Sequence, residues 1–515
     1  MARKLPTNRR QCQALIIHPP WFRLQDSNLV PFPAGPCAVA ATLERGGIGT
    51  LVWNGDFDGR PTMSVGGTHI FNTSEMALAH ERYLARLNDM DDPVWREVLA
   101  IITATTPEVV GISAYSVTFR SAANVATIIR QHYPGIRIVL GGMHGTIAPR
   151  DCLEECPAID VVVRGEAEFS AVPLFRALLD RAPAESLSII PGLAFRSTEG
   201  IVVTADPGHV EDLDALPYPA RHLLVDLDRM PPSAHQAIYG FRGCPFQCIF
   251  CGSFNIFGRK PRMRSALSIV DEMESVHRTY GTSYFFICDD IFLLDRARVL
   301  EFCDLLERRN LSIYYSLQSR GELMDNELLA RMKATGCQHI AVGVEVGDEG
   351  IRKLIKKGNT VEEMRRAAQL IRDNGLRMSG FFMFGFPWET REQMMATVTL
   401  MEELNPFVAF PYIVTPSPGT ELLEIAQGMN LMDAAVDLSS FAHVSPKMGL
   451  SAHVPEQERA SLIDGILERF ARHNRRSLRG DLLRRPRFFW RAARDAGILS
   501  SFSSIVGYVR IVVGV

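Results

Sequence analysis

The chain has 515 residues, more than one hydrophobic core usually organises, so two domains with an appendage are expected. A hydrophobic fraction of 47%, a charged fraction of 22% and a net charge of -3 describe a globular protein and give no reason to expect a nucleic-acid partner. Ten cysteines are too dilute for a disulfide scaffold, the N-terminus lacks a signal-peptide pattern and no apolar stretch is long enough to span a bilayer, so a cytoplasmic protein is predicted.

The first 205 residues alternate short apolar runs with helical patterns, which is typical of a parallel sheet covered by helices. The runs predict strands at Ala14–His18, Thr50–Asn54, Val109–Ala114, Ile136–Leu140 and Ile159–Val163. Each is followed by glycine, proline or small polar residues, as expected where a parallel strand turns into a loop. We therefore predict a five-stranded, doubly wound, Rossmann-like domain over residues 1–205, with residues 55–95 as an insertion.

The segment 206–235 is rich in proline and aspartate and predicts a linker. After it, the strand and helix patterns alternate again over residues 236–430. Strand candidates are Ala237–Phe241, Ser283–Ile287, Ser312–Ser316, His339–Val344, Met378–Phe384 and Val408–Val414. Six such units fit an incomplete TIM-type (β/α)6 barrel, whose active site would lie at the carboxyl ends of its strands.

The pattern of residues 431–515 predicts a helical region whose C-terminal part is basic. Nine arginines occur from Arg472 to Arg494, and the apolar residues among them are Leu482, Leu483, Phe488, Phe489 and Trp490. The chain ends in the apolar run Ser504–Val515. An amphipathic helix at an anionic membrane surface would have this pattern, and so would a solvated helix docked on the barrel.

Three cysteines, Cys244, Cys248 and Cys251, lie within eight residues directly after the first barrel strand. Thiolates are the usual ligands of iron-sulfur clusters, and this spacing lets three sulfurs from one loop reach three corners of a four-iron four-sulfur cluster. The fourth iron would stay open to a substrate or cofactor. The alternative is a zinc site, which normally needs a second cysteine pair. The other barrel cysteines stand alone between apolar residues and are interpreted as core residues: Cys288, Cys303 and Cys337.

The cysteine loop and the motifs around it resemble the cobalamin-binding branch of the radical S-adenosylmethionine superfamily. The motifs, in chain order, are Cys244-x-x-x-Cys248-x-x-Cys251, Cys288-Asp289-Asp290, Gly343-Val-Glu345-Val-Gly347, Gly385-Phe-Pro387-Trp-Glu389 and Thr415-Pro-Ser-Pro418-Gly419. The resemblance covers about residues 10 to 425. It implies that the open iron holds the methionine part of S-adenosylmethionine and that the cluster cleaves this cofactor to a 5'-deoxyadenosyl radical.

The resemblance also implies which barrel residues hold S-adenosylmethionine. Asp289 and Asp290 follow the second strand, where carboxylates accept hydrogen bonds from the methionine ammonium. The alternative for Asp290 is a cap of the next helix. Arg320 could pair with the methionine carboxylate, and Glu345 could contact the ribose hydroxyls or the methionine end, although either residue could instead form a structural ion pair.

Gly385 and Pro387 would let the backbone approach adenine at the fifth strand, by the same resemblance. A plain turn would explain these two residues almost as well.

The carboxyl edge of the N-terminal sheet is where a doubly wound domain binds its ligand. By resemblance to cobalamin-binding domains, the candidate residues there are Ser113, Gly141, Gly142, His144, Thr146, Gly165 and Glu166. His144 lacks the aspartate two positions earlier that accompanies an axial histidine ligand of cobalt, so we interpret it as a histidine at the surface or behind the site. The alternative for the whole domain is a sheet that binds nothing.

The resemblance predicts a cobalamin-dependent radical enzyme that methylates an unactivated carbon of a small-molecule or lipid substrate. It would require a reducing partner such as flavodoxin or ferredoxin. A related alternative is radical cyclisation or oxidative rearrangement without methyl transfer. An alternative of another class is a cobalamin or redox sensor that does not cleave S-adenosylmethionine.

Overall fold

The protein is described by a computed structural model over residues 12–27, 29–59, 73–432 and 449–484. It contains two large β-sheets, one in each half of the chain, that are joined through residues 204–236. The predicted α/β organisation is confirmed, with a Rossmann-like sheet followed by a partial barrel.

The N-terminal sheet has seven strands, two more than predicted. They are β1 (Ala14–His18), β2 (Thr50–Asn54), β3 (Val109–Ser113), β4 (Arg137–Gly141), β5 (Val161–Val163), β6 (Leu193–Ser197) and β7 (Gly200–Val203). Their order is β2-β1-β3-β4-β5-β6-β7, and the first five are parallel. The unpredicted pair β6 and β7 forms an antiparallel hairpin that extends the sheet beyond β5.

Helices cover both faces of this sheet. They are α1 (Ala34–Arg45), α2 (Thr73–Asn88), α3 (Pro93–Thr105), α4 (Phe119–His132), α5 (Met143–Ile147), α6 (Pro149–Glu155) and α7 (Ala171–Leu179). One core joins the inner faces of α3 and α4 to the strands, and a second core does the same for α1 and α7. Because β1 pairs with both β2 and β3, the chain reverses direction across the sheet at β1, and ligands of such folds bind outside this point.

The second sheet is a six-stranded parallel sheet that forms the partial barrel. Its strands are β8 (Ala237–Ile238), β11 (Tyr284–Ile287), β12 (Tyr314–Ser319), β13 (Cys337–Glu345), β14 (Arg377–Phe384) and β15 (Val408–Ile413). Two short strands, β9 (Phe241–Arg242) and β10 (Arg262–Met263), pair with each other in antiparallel fashion outside it. All six predicted barrel strands are present, although β8 has only two residues.

The helices of this half are α8 (Phe254–Phe257), α9 (Ala266–Tyr280), α10 (Arg296–Arg309), α11 (Asn326–Ala334), α12 (Glu349–Leu354), α13 (Val361–Asp373), α14 (Arg391–Leu404), α15 (Glu421–Gly428) and α16 (Glu456–Arg484). Short 3-10 turns connect elements in both halves, at Arg23–Gln25, Ser116–Thr118, Ala184–Ile189, Arg221–Leu223, Leu227–Arg229, Pro232–His235, Phe292–Leu294 and Gly321–Leu323. Local signals position several helices. Thr360 and Glu363, for example, form a reciprocal capping box at the start of α13.

Helix α16 packs on the barrel at the edge strand β15. Its Phe470 ring contacts Phe382 and Phe384 edge-on, at 5.3 and 5.5 Å between ring centroids. The Asn474 side-chain amide bonds both backbone groups of Ala409, each at 2.8 Å. An otherwise open sheet edge is thereby covered. This packing favours the docked-helix interpretation for Arg472–Arg484, whereas residues 485–515 lie outside the described residues.

The segment predicted as a linker is packed between the two sheets. Leu224 and Ala237 belong to the same buried core as α1 and α7, and Val225 donates its backbone N–H to Val52 at 2.8 Å. The two halves therefore share a buried junction. A search of the described residues found no helix both long and apolar enough to cross a membrane.

Candidate active site

A cavity of about 690 Å³ lies between the two sheets and is lined by both. From the N-terminal half, Ser113 and Tyr115 reach it at the carboxyl end of β3. From the barrel, Tyr239, Gly243 and Asp290 reach it near the carboxyl ends of β8 and β11. Because the carboxyl ends of both parallel sheets face this space, it is the place where both folds bind ligands.

The loop that carries the three cysteines runs from residue 243 to 261, between β9 and β10. It begins at Gly243, whose φ of +82° and whose approach to the Lys260 carbonyl leave no room for a side chain; a Cβ there would lie 2.2 Å from that oxygen. The Cys244 N–H donates to the Gly258 carbonyl at 3.2 Å, and the Cys251 N–H donates to the Cys248 carbonyl at the same distance. The loop is therefore folded on itself.

The three thiols are neither fully buried nor fully exposed, and they are close enough to influence one another electrostatically. The pKa of the Cys251 thiol is raised to about 11, mainly by burial and in smaller part by the nearby Asp290 carboxylate. Within the described ranges, no three His, Cys, Asp or Glu side chains converge closely enough to hold a single metal ion. Cluster ligands each bind a different iron, so three separated thiols in one loop fit an iron-sulfur cluster.

Asp289 and Asp290 have different environments although they are adjacent. Asp289 is 1% exposed, accepts the Gly240 N–H at 2.6 Å and lies 3.5 Å from the Arg298 guanidinium. Burial raises its pKa despite that guanidinium. Asp290 is exposed, lines the cavity and accepts the Ser253 hydroxyl of the cysteine loop at 2.9 Å.

The helix-capping alternative for Asp290 is wrong, because α10 begins at Arg296 and its cap is Asp295, which accepts the Arg298 N–H. Of the two carboxylates, Asp290 is the one that a cofactor beside the cysteine loop could reach.

Arg320 and Glu345 lie in the mouth of the barrel, and both have protein partners. The Glu345 carboxylate pairs with the Lys357 ammonium at 2.7 Å, and both side chains are buried. Arg320 pairs with Glu322 and lies 3.7 Å from the ring centroid of Phe246, in the cysteine loop. The structural ion pairs considered for these two residues are therefore present, and Arg320 also supports the cysteine loop.

Gly385 and Pro387 belong to a turn after β14 that a buried glutamate organises. Glu389 is 0% exposed and accepts the backbone N–H groups of Gly385 and Phe386 at 2.7 and 3.1 Å. Burial raises the pKa of Glu389 to about 8. The Phe386 ring lies 6.1 Å from that of Phe250 in the cysteine loop, so this turn and the cysteine loop are in contact.

Small residues shape the carboxyl edge of the N-terminal sheet. Gly142 has a φ of +94°, and a Cβ there would lie 2.7 Å from the Ala114 carbonyl. Thr146 donates its hydroxyl to the Gly142 carbonyl and accepts the Gly165 N–H, both at 2.9 Å. These bonds hold the loops after β4 and β5 together. Gly141 is less crowded, because a Cβ there would meet only Val163, at 4.0 Å.

His144 is buried, so of the two interpretations, a histidine at the surface or one behind the site, the structure agrees with the second. It is 4% exposed, its Nδ1 lies 3.1 Å from the Ser116 hydroxyl, and its ring lies 4.4 Å from that of Phe119. Burial lowers its pKa to about 4, so the ring is neutral at physiological pH. It therefore supports the loop after β3 from behind.

The cavity also contains residues that sequence analysis missed. Cys288 packs against a buried core, as predicted, but it is only partly buried and also lines the cavity, whereas Cys303 and Cys337 are fully buried as predicted. The Cys288 thiol donates to the Phe286 carbonyl at 3.5 Å, and burial raises its pKa to about 12 although the neighbouring Tyr239 hydroxyl lowers it. Tyr239 directly follows the first barrel strand, next to Gly240. Because barrel enzymes bind ligands at the carboxyl ends of their strands, this position is itself a sequence signal for a site residue.

Fold and site together define a class: an α/β protein with a ligand-binding sheet edge that faces a barrel mouth carrying a three-cysteine loop. Comparison with known proteins agrees with this description. Residues 238–401 match the family model of the radical SAM superfamily, and residues 65–173 match that of the B12 binding domain.

The chain has relatives among curated proteins. An uncharacterized methyltransferase of Pyrococcus horikoshii is 30% identical over 71% of this chain and 79% of the relative. The anaerobic magnesium-protoporphyrin IX monomethyl ester cyclase of Rubrivivax gelatinosus is 29% identical over 75% of this chain and 69% of the relative. Among solved structures, the methyltransferase TsrM of Kitasatospora setae with cobalamin and an iron-sulfur cluster bound superposes with a TM-score of 0.62 at 19% identity, covering 82% of this chain and 76% of that one.

The chain belongs to the cobalamin-binding radical S-adenosylmethionine family. It is an enzyme whose cofactors are a four-iron four-sulfur cluster, S-adenosylmethionine and cobalamin. The zinc, non-binding and sensor alternatives are therefore set aside.

Proposed function

We propose that this enzyme transfers a methyl group to an unactivated carbon of a small molecule. The observation that carries the proposal is the cavity that the N-terminal sheet edge and the barrel mouth share. Transfer of a group from cobalamin to a radical formed in the barrel requires both sites to open into one space. The relationship to the Pyrococcus horikoshii methyltransferase supports this assignment.

When bound, the cofactors supply the electron that cleaves S-adenosylmethionine and the methyl group that is transferred. Cys244, Cys248 and Cys251 would hold the cluster, and Asp290 would accept a hydrogen bond from the methionine ammonium. The Gly385 turn would present backbone groups to adenine. On the other side of the cavity, Ser113 and the glycine-lined loop at Gly142 would pack against cobalamin.

The charges in the cavity indicate a neutral substrate. Two guanidiniums line it, and both already have carboxylate partners: Arg242 pairs with Glu168, and Arg264 pairs with Glu272, each at 2.5 Å. A phosphate or carboxylate of the substrate would have to displace one of them. The remaining lining includes Phe32 and Tyr218, so an apolar or aromatic molecule is the better match.

A second candidate is oxidative ring formation without methyl transfer. It is favoured by the 29% identity to the anaerobic cyclase of Rubrivivax gelatinosus, which covers 69% of that protein. An apolar cavity suits this reaction equally, so the products must distinguish the two.

The test is anaerobic reconstitution with iron, sulfide and hydroxocobalamin, then chromatography of the products formed from S-adenosylmethionine and dithionite with a panel of neutral aromatic and lipid compounds. We expect 5'-deoxyadenosine and S-adenosylhomocysteine together. The control is the triple variant Cys244→Ala, Cys248→Ala, Cys251→Ala, which should form no 5'-deoxyadenosine.

If 5'-deoxyadenosine and an altered substrate form without S-adenosylhomocysteine, methyl transfer is refuted and ring formation is favoured. Cleavage that survives in the triple variant would refute the assignment of the three cysteines.

The electron donor we propose is a small redox protein such as flavodoxin or ferredoxin, because cleavage needs a reductant. We also propose that the basic tail beyond Arg484 contacts an anionic membrane surface, on the strength of its sequence alone. If the full-length protein fails to sediment with anionic liposomes while its helix content is retained, the membrane proposal is refuted.

A further inference from the structure

The base of the cysteine loop is closed by two arginines that face each other. Arg242 in β9 and Arg262 in β10 are directly opposite in the antiparallel pair, one before the loop and one after it. Like charges at opposed positions of a strand pair destabilise the pairing. The loop that holds the cluster ligands therefore begins and ends at two cations that repel each other.

One carboxylate from the other half of the chain binds both arginines. Glu166 follows β5 of the N-terminal sheet and its side chain is 0% exposed. Its Oε2 accepts from Arg242 at 2.7 Å, and its Oε1 accepts from Arg262 at 2.5 Å. Burial by itself would raise the pKa of Glu166, but the hydrogen bonds from these two guanidiniums hold the pKa below its usual value.

Further contacts make the arrangement specific. Arg262 is 2% exposed and also donates to the carbonyls of Val210 and Phe257, at 2.6 and 2.8 Å. The second Arg242 nitrogen donates to Glu168 at 2.5 Å. The Glu166 carboxylate also accepts the Val210 N–H at 3.2 Å and lies 3.4 Å from the His209 Nδ1, but its shortest contacts are the two to the arginines at the base of the loop.

We propose that Glu166 is a positioning residue through which the cobalamin-binding half holds the cluster loop closed. The inference rests on the proposed cluster at Cys244, Cys248 and Cys251. Without the carboxylate, Arg242 and Arg262 would repel each other across the base of the loop, and the loop would open more often. The bound cluster would then be lost faster, although no ligand has changed.

A matched control exists, because Glu272 is also buried between two arginines. It pairs with Arg221 at 2.7 Å and with Arg264 at 2.5 Å, and these arginines are not partners across the cysteine loop. The variants Glu166→Gln and Glu272→Gln therefore remove the same charge from the same kind of site. Only the first removes it from the base of the loop.

The experiment uses the full-length, reconstituted protein. The rate at which an iron chelator removes the cluster is measured from the visible absorption of the cluster, and the melting temperature of each variant is measured separately. We expect similar losses of melting temperature in both variants. Cluster loss should be about tenfold faster in Glu166→Gln, because the substitution removes charge-assisted hydrogen bonds from the base of the loop. In Glu272→Gln it should stay near the wild-type rate.

The double variant Glu166→Gln, Arg262→Gln tests the cause, because it removes the repulsion as well. It should lose the cluster more slowly than Glu166→Gln alone. Equal rates in the two single variants, or no recovery in the double variant, would overturn the inference. A wild-type chain that assembles no cluster would instead refute the proposed function, so the two failures are distinguishable.

Discussion

The two sides of the cavity are both carboxyl edges of parallel sheets, yet their chemistry differs. The barrel mouth carries charged pairs, such as Asp289 with Arg298 and Glu345 with Lys357. Around Gly142, the edge of the N-terminal sheet is instead formed by glycines and hydroxyls that bond backbone groups, as Thr146 does with Gly142 and Gly165. The barrel mouth positions charged groups, whereas the sheet edge near Gly142 presents a surface of small side chains.

This difference matches what each side has to hold. A radical reaction needs a charged cofactor oriented precisely, which buried ion pairs achieve because their geometry is restricted. A large ring cofactor needs close contact over a wide area, which small side chains permit. Changes at the barrel mouth should therefore act through charge, and changes at the sheet edge should act through volume.

The largest effects are expected from substitutions of Asp289 and Asp290, and the two substitutions should differ in whether they reduce stability or activity. Asp289→Ala leaves the Arg298 guanidinium and the Gly240 N–H buried without this partner, so we expect the free energy of unfolding to fall by about 3 kcal/mol. Asp290→Ala should leave stability nearly unchanged because the side chain is exposed, but should slow cleavage of S-adenosylmethionine at least about tenfold by removing a charge-assisted contact. Denaturant unfolding and 5'-deoxyadenosine formation measure the two effects.

The reverse pattern, with an unstable Asp290→Ala and a stable but inactive Asp289→Ala, would contradict the assignment of the ammonium contact to Asp290. Asp295→Ala serves as a control, because it removes only the cap of α10 and should cost stability without a specific loss of cofactor affinity.

At the sheet edge, Gly142→Ala should act through shape. The φ of +94° and the 2.7 Å approach to the Ala114 carbonyl both oppose a methyl group, so we expect a loss of about 2–3 kcal/mol and weaker retention of cobalamin. Retained cobalamin is read from the absorption spectrum after desalting. Gly135→Ala is the matched control, since a Cβ there meets no atom within 4 Å. Equal retention in both variants would argue against a cobalamin surface at Gly142.

The smallest effect concerns the turn after β14 and is a change in pH dependence. The folded chain keeps Glu389 protonated up to a pKa of about 8, whereas the ordinary value is 4.5. Folding therefore takes up a proton between these values, and the free energy of unfolding falls as pH rises through that window. In Glu389→Gln this part of the decline should be absent, as measured by melting temperature from pH 4.5 to 8. The exposed Glu424→Gln should keep the wild-type slope; an unchanged slope in Glu389→Gln would exclude a protonated Glu389.

Much of the architecture could be predicted from the sequence because the patterns are local. Apolar runs at the strands and capping residues at the helices each act within a few positions, so five N-terminal and six barrel strands were found. The hairpin of β6 and β7 was missed although a Ser-Thr-Glu-Gly turn connects its strands. Strand β8 is shorter than predicted, because the Gly240 N–H bonds Asp289 and the next residues, Phe241 and Arg242, pair with β10 instead.

The sequence by itself predicted the cluster ligands and identified the family, because three cysteines spaced within one loop can be recognised without any other part of the chain. The tertiary structure alone decided how that loop is held. Glu166 is separated from Arg242 by 76 residues and from Arg262 by 96, and no local pattern links them. It also distinguished Asp289 from Asp290, since adjacent carboxylates differ only in what surrounds them after folding.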